Sequence, residues 1–273
     1  MRQPNRRQRA LLLLLLTLAV LLAVTMAGAL LTQRAMETDF SRMNRSPSLS
    51  FLFGTDWMGR DMLARTLAGL SLSIRIGVLT ALVSAVIALL CGVAAALSRR
   101  ADAVLSWCID LFLGIPHILL VMLISLAFGR GFLGVVAGVS LSHWPSLARV
   151  IRGEVLSLRH APYLLSAEKL GVPRGQIVRR HLFPHLLPQF LTGLILQFPH
   201  AILHEASVTF LGFGLSSEQP AIGVILSESM QYLTTGRWWL ALFPGLALVG
   251  VVLLFAALGE QVRRVLDPSS VHQ

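Results

Sequence analysis

Apolar residues gather into six long stretches along this chain, and polar residues collect between them. The stretches cover residues 10–31, 74–97, 104–128, 132–151, 186–210 and 239–258. The hydrocarbon core of a bilayer is about 30 Å thick, and a helix crosses it with about 20 mostly apolar residues. The pattern therefore predicts an all-α polytopic membrane protein with six transmembrane helices. The first stretch follows Arg2, Arg6, Arg7 and Arg9, as the core of a cleaved signal peptide would, and Met26-Ala27-Gly28-Ala29 has the small residues of a cleavage region. A signal core is only about 7–15 residues long, so the greater length here predicts a retained anchor. Trp144-Pro145 and Phe198-Pro199 interrupt the fourth and fifth stretches. Proline is tolerated in a membrane helix where neighbours satisfy the freed backbone, so those two helices are expected to face the bundle interior.

The loop at about 152–185, between the fourth and fifth stretches, has its own pattern. Tyr163, Leu164, Leu165, Ser166, Ala167, Glu168, Lys169 and Leu170 read as a short amphipathic helix. Pro162 suits its start, and Gly171 can adopt the left-handed conformation that closes a last turn. A second short helix is expected from near Pro173 to just before Pro184. Two readings are open for this pair of helices. They form either a compact knob for a groove on a partner protein or an interfacial element on anionic headgroups.

Composition sharpens the membrane reading. Only 13% of the 273 residues are charged and 55% are hydrophobic, with a mean hydropathy of +0.73. The net charge is +10, almost all of it arginine, with Lys169 as the sole lysine. These basic residues lie beside apolar runs with few aromatic neighbours, which favours a membrane face and no nucleic acid. With the amino terminus inside, 15 of the 23 basic residues fall on the cytoplasmic side and 8 outside. That imbalance predicts cytoplasmic termini at both ends. Cys91 and Cys108 form no CxxC pair and read as inert thiols. No phosphate-binding GxxxxGK[ST] loop is present, so any ATP used in transport is hydrolysed by another subunit.

The candidate chemistry is a set of histidines in apolar surroundings. His200 and His204 are four residues apart and share a helix face. Neutral imidazoles so placed suit a transition metal such as Ni²⁺, and two satisfied interior histidines would look the same. Glu205 follows His204, and an ionisable group at membrane depth faces a partner or a cavity. The two could satisfy one another, either as a packing anchor or in a translocation path. His117, after Pro116, could join this face, while His143 is expected as an interfacial or packing residue. His181 and His185 flank Pro184 in the loop and read as docking or structural residues, and His160 as a solvated one. His204-Glu205 opens an HExxH metalloprotease pattern, but Val208 stands where its second histidine belongs, and there is no GxSxG elbow. No catalytic residue and no cofactor is expected.

The 152–185 loop resembles the EAA loop of bacterial ABC importer permeases. Ser166-Ala167, Gly171 and His181-Leu182-Phe183-Pro184-His185 occupy its positions, with Leu165 where the glutamate of the motif name stands. Other boxes resemble the C-type permeases of the dipeptide, oligopeptide and nickel importers, from about Phe51 to Pro268. They are Gly54-Thr55-Asp56-Trp57-Met58-Gly59-Arg60-Asp61; Asp102, Asp110 and Pro116; Trp144, Ala148, Arg149 and Arg152; and Glu205-Ala206-Ser207 with Phe210-Leu211-Gly212-Phe213-Gly214. Pro244-Gly245 and Leu258-Gly259-Glu260 through Leu266-Asp267-Pro268 continue the likeness. Glu260 and Arg264 replace two aspartates of the last box, Ile222 stands where tryptophan is usual before Gly223, and Trp107 where arginine is common in the third helix.

The resemblance implies a type I ABC importer permease fold in the bacterial inner membrane, forming half of a translocation pore. It implies a second permease subunit, two ATP-binding subunits and a periplasmic solute-binding protein as partners. Tyr163, Leu164, Ser166, Ala167, Glu168 and Gly171 would then couple to the ATPase, and His200, His204 and Glu205 would line the path or meet a metal. Nickel or a metal–chelator complex is the first expectation for cargo because of His200 and His204, with short peptides as the alternative. The expected organisation is an anchor and periplasmic segment at 1–72, the permease domain at 73–268 and a tail at 269–273.

Overall fold

Asp61 starts the central helix of the bundle. Its carboxylate accepts from the backbone N–H groups of Leu63 (3.0 Å) and Ala64 (3.4 Å), which the first turn of a helix leaves without partners. In the computed structural model, which describes residues 6–159 and 161–266, this helix is α3 (Met62–Leu97), 36 residues long. Ahead of it come α1 (Arg6–Leu30), α2 (Thr32–Met36) and a 3₁₀ turn at Phe40–Arg42. After it come α4 (Arg99–Gly114), α5 (His117–Ala127), α6 (Gly131–Arg159), α7 (Pro162–Lys169), α8 (Arg174–Ile177), α9 (Phe183–Phe210), α10 (Ile222–Leu233) and α11 (Trp239–Leu266). No strand occurs among the described residues, only an isolated bridge between Thr55 and Asp61. Arg2, His160 and the tail at 269–273 lie outside the described residues.

At 1.5 Å per residue α3 is about 54 Å long, and α1, α6 and α9 pack along it. Small side chains make that possible. Ala81, Ala85, Ala88 and Ala95 are buried on α3 at spacings of three, four and seven residues. They let α6 approach with Ala148 and Ile151, which are also buried. In lipid there is little hydrophobic drive to bring helices together, so close backbone approach at small residues replaces it. The large apolar side chains face outward: Leu12, Leu15, Leu16 and Leu22 of α1 and Leu246, Val249 and Leu253 of α11 are exposed. Ser71 of α3 donates to the Thr25 carbonyl of α1 at 2.8 Å and fixes the crossing of those two helices.

Four helical runs are long and apolar enough to cross a membrane: 8–30, 62–95, 175–210 and 239–266. A fifth counts if α4 and α5 make one broken span, for they meet at a bend of 102°. The straight third helix expected at 104–128 is therefore corrected. Ile115 is extended (φ −88°, ψ 136°) ahead of Pro116, as steric conflict with a following proline ring requires. The remaining apolar stretch, 132–151, lies within α6, which continues through Pro145 for 29 residues and packs against α3 and α5. The domain boundary expected at 72–73 falls inside α3. Nor does Pro184 end a helix: α8 passes through a π-helical turn (Val178–Leu182) into α9, and Pro184 sits in the first turn of α9, where no intrahelical N–H is needed.

Candidate functional site

The segment between α2 and α3 is held by a buried ion cluster. Asp56 Oδ1 accepts from the backbone N–H of Met58 and Arg60, both at 2.9 Å. Asp56 Oδ2 takes Arg60 Nε at 2.7 Å and Arg65 Nη1 at 2.6 Å. Glu228 of α10 closes the set, 3.0 Å from Arg65 and 3.3 Å from Arg60. Asp56, Arg60 and Arg65 are all buried. Beside the cluster, Gly131 N donates to Gly214 O (3.0 Å) and Ser125 Oγ to Phe213 O (2.9 Å), tying the α5–α6 turn to the turn after α9. A cavity of about 490 Å³ opens here, with Arg130, Ser216, Ser227 and Glu228 in its wall.

The α4 and α6 boxes meet as ion pairs. Arg152 engages Asp102 through Nε and, at 2.9 Å, through Nη2, and Arg149 Nη2 lies 2.6 Å from Asp110. These bonds hold α4 across the bend from α5. The Asp102–Arg152 pair is partly exposed, and such pairs contribute about 1 kcal/mol or less. Arg152→Asp is expected to lower the thermal midpoint of the purified protein, and Asp102→Arg/Arg152→Asp to recover most of the loss. Equal midpoints in the single and double variants would show that the pair does not hold α4.

After α6 the chain forms the two short helices α7 and α8. Gly171 has φ +76°, and Val172 N donates to Ala167 O at 3.1 Å across it. That is the six-residue closure of a Schellman turn, which ends α7. Tyr163, Ser166 and Leu170 are exposed, Leu170 at 83%. Leu164 is buried with Leu158, Leu182 and Leu186, which anchors α7 to the bundle. Ala167 is half-buried, and the Glu168 side chain lies outside the described residues.

The histidines assemble differently from the expected pair. His117, His143 and His204, from α5, α6 and α9, form one group with ring centroids 4.2–5.0 Å apart. His143, expected from sequence as an interfacial or packing residue, stands within it. His200 is exposed and lines the same cavity of about 360 Å³, with Ser142, Ser146 and Gln197. Glu205 is fully buried and accepts from Thr209 Oγ1 at 3.1 Å. Its other oxygen, Oε2, is buried without a hydrogen-bond partner. Glu205 is thus no part of the cavity wall and does not pair with His204, because adjacent residues on a helix point about 100° apart. Thr209 Oγ1 also receives Leu215 N at 3.3 Å, so Glu205 secures the turn after α9.

The family of binding-protein-dependent transport system inner membrane components matches residues 84–271. The chain belongs to that family. A peptide transport system permease of Brucella suis biovar 1 is 34% identical over 267 residues, covering 98% of this chain and 90% of its own. A second, from Brucella abortus biovar 1, is 35% identical over 255 residues, 93% of this chain and 86% of the relative. The dipeptide transport system permease DppC of Bacillus subtilis is 29% identical over 268 residues, 97% and 83%. All three relatives are described by peptides, and none by nickel. As an inner-membrane permease, the chain gives the pattern of outward leucines a plain meaning, a surface in contact with lipid.

Proposed function

We propose that this chain is one of two permease subunits of an ATP-driven bacterial importer of dipeptides or oligopeptides. The observation that carries this reading is the likeness, over nearly the whole chain, to permeases described by peptide transport. The cargo expected from sequence, nickel or a metal–chelator complex, is replaced accordingly. His200 and His204, which motivated it, line one cavity with His117 and His143. Six spans complete the fold, with α6 as one and the broken α4–α5 pair as another, and both termini are cytoplasmic. The 490 Å³ cavity then opens toward the periplasm, where a solute-binding protein delivers cargo. The knob of α7 and α8 lies on the cytoplasmic face and docks on an ATP-binding subunit through Tyr163, Ser166 and Leu170, while Gly171 sets the angle of the turn. ATP is hydrolysed by those partners, and this subunit moves.

Uptake of a labelled dipeptide and of labelled nickel, in cells with and without the permease, tests the proposal. Peptide uptake is expected to be lost with the gene and restored by its return, with nickel uptake unchanged. Permease-dependent nickel uptake without permease-dependent peptide uptake would overturn it.

A further inference from the structure

Each of the three clustered histidines lies on a helix that follows or contains a proline. His117 is the first residue of α5, immediately after the Pro116 break. His143 lies two residues before Pro145 in α6, and His204 five residues after Pro199 in α9. One ring nitrogen from each lies within 4.8 Å of the other two. Tetrahedral coordination with metal–nitrogen bonds of about 2.0–2.1 Å places donor atoms about 3.4 Å apart. Side-chain rotations of about 1 Å close the difference.

The hydrogen bonding already selects the ligand atoms. His143 Nδ1 lies 2.8 Å from the Val139 carbonyl. A carbonyl only accepts, so Nδ1 carries the proton and Nε2 presents a lone pair. Nε2 is buried and has no partner. A backbone carbonyl on the far nitrogen is the usual way a metal-binding imidazole is oriented and made more basic. His117 Nδ1 is likewise buried without a partner. Both amide atoms of Gln197, in the same cavity wall, have none either. The cavity is large enough for water as a fourth ligand. Among the described residues no carboxylate lines it, and Glu205 accepts from Thr209. Such a donor set suits zinc, nickel or copper and not calcium or magnesium, which require oxygen.

We infer that His117, His143 and His204 bind one divalent transition-metal ion, and that the bound ion pins α5, α6 and α9 together and arrests transport. The ion is a resident inhibitor and not the cargo, so the inference is independent of whether peptides or another solute are carried. Proline removes one backbone hydrogen bond from a helix and is a usual site of kinking. A bridge between all three helices restrains bending at those sites.

The test uses the whole importer, purified with its partner subunits through a histidine-free tag and stripped with chelator. After equilibration with micromolar Zn²⁺ and gel filtration, wild type is expected to retain one zinc more per copy of this chain than His143→Gln or His204→Gln. Co²⁺ in place of zinc is expected to give the intense visible bands of tetrahedral coordination in wild type only. Zinc at filling concentrations is expected to suppress ATP turnover in wild type, with each variant resistant to at least about 10-fold more metal. Equal zinc content in wild type and both variants would overturn the site. Filling without loss of turnover would overturn the arrest. Should the glutamine variants fail to assemble, His204→Cys decides: retained binding of Cd²⁺ supports the site, and its absence in an assembled complex refutes it.

Discussion

Replacing Asp56 with alanine is expected to be the most damaging single substitution to the stability of this permease. Asp56 takes four hydrogen bonds: two from the backbone of its own turn and two from the guanidinium groups of Arg60 and Arg65. Arg65 is 1% exposed and Arg60 5%, so neither can turn to water when the carboxylate is removed. Glu228 remains, but it sits at the edge of the cluster, and one carboxylate is then shared by two buried cations. Removing one partner of a buried ion pair costs about 3–5 kcal/mol, because the surviving charge is left uncompensated. Asp56→Ala is therefore expected to reach the membrane in much reduced amount and to aggregate at lower temperature in detergent. Asp56→Asn keeps an acceptor for the turn but not the charge, and should fall between. Glu228→Gln, at a partly exposed position, should cost least. An Asp56→Ala protein with the thermal midpoint and abundance of wild type would show that the cluster does not hold the segment between α2 and α3 to α3 and α10.

That cluster was half visible in the sequence. The box containing Asp56 and Arg60 stands out as a motif, but Glu228 lies 163 residues beyond Arg65 and 168 beyond Arg60, where nothing local marks a partner. The same blindness shortened the central helix. Its apolar run reads from residue 74, because Arg65, Thr66, Ser71 and Ser73 interrupt it earlier, yet all four are buried. A polar side chain buried inside a bundle looks, in sequence, like one at the surface. The apolar run at 10–31 lies close to the bounds of α1 (Arg6–Leu30), whereas the run at 239–258 begins with α11 and stops eight residues before its end at Leu266. The α10 helix was missed because its 12 residues are too few to span. At the histidines, helical spacing joined His200 to His204, whereas the fold joins His204 to residues of two other helices. Periodicity reports one helix face and carries nothing about what a second helix brings to it. The turn at Gly171 was legible for the opposite reason, since helix start, stop residue and loop are contiguous.

Changing Gly171 to valine is expected to abolish most transport while leaving the protein in the membrane. A side chain at this position would meet no atom within 4 Å, so crowding is not the difficulty. The difficulty is the backbone, held at φ +76°, where a β-branched residue is disfavoured by about 1–2 kcal/mol. The bond from Val172 N to Ala167 O depends on that conformation. When it is lost, exposed Leu170 and the end of α7 leave the geometry of the knob. About 1.4 kcal/mol corresponds to a tenfold change in population, so peptide uptake is expected to fall by about tenfold. Membrane abundance should stay near wild type, because Gly171 is exposed and Leu164 still anchors α7 to the bundle. Asparagine, which enters the left-handed region far more readily than valine, is expected to retain most activity at the same site. ATP turnover by the partner subunits separates the causes: a misplaced knob leaves ATP hydrolysis running without uptake, or lowers copurification of the ATPase. Valine and asparagine variants with equal, wild-type uptake would mean that the left-handed turn is not what couples this subunit to its motor.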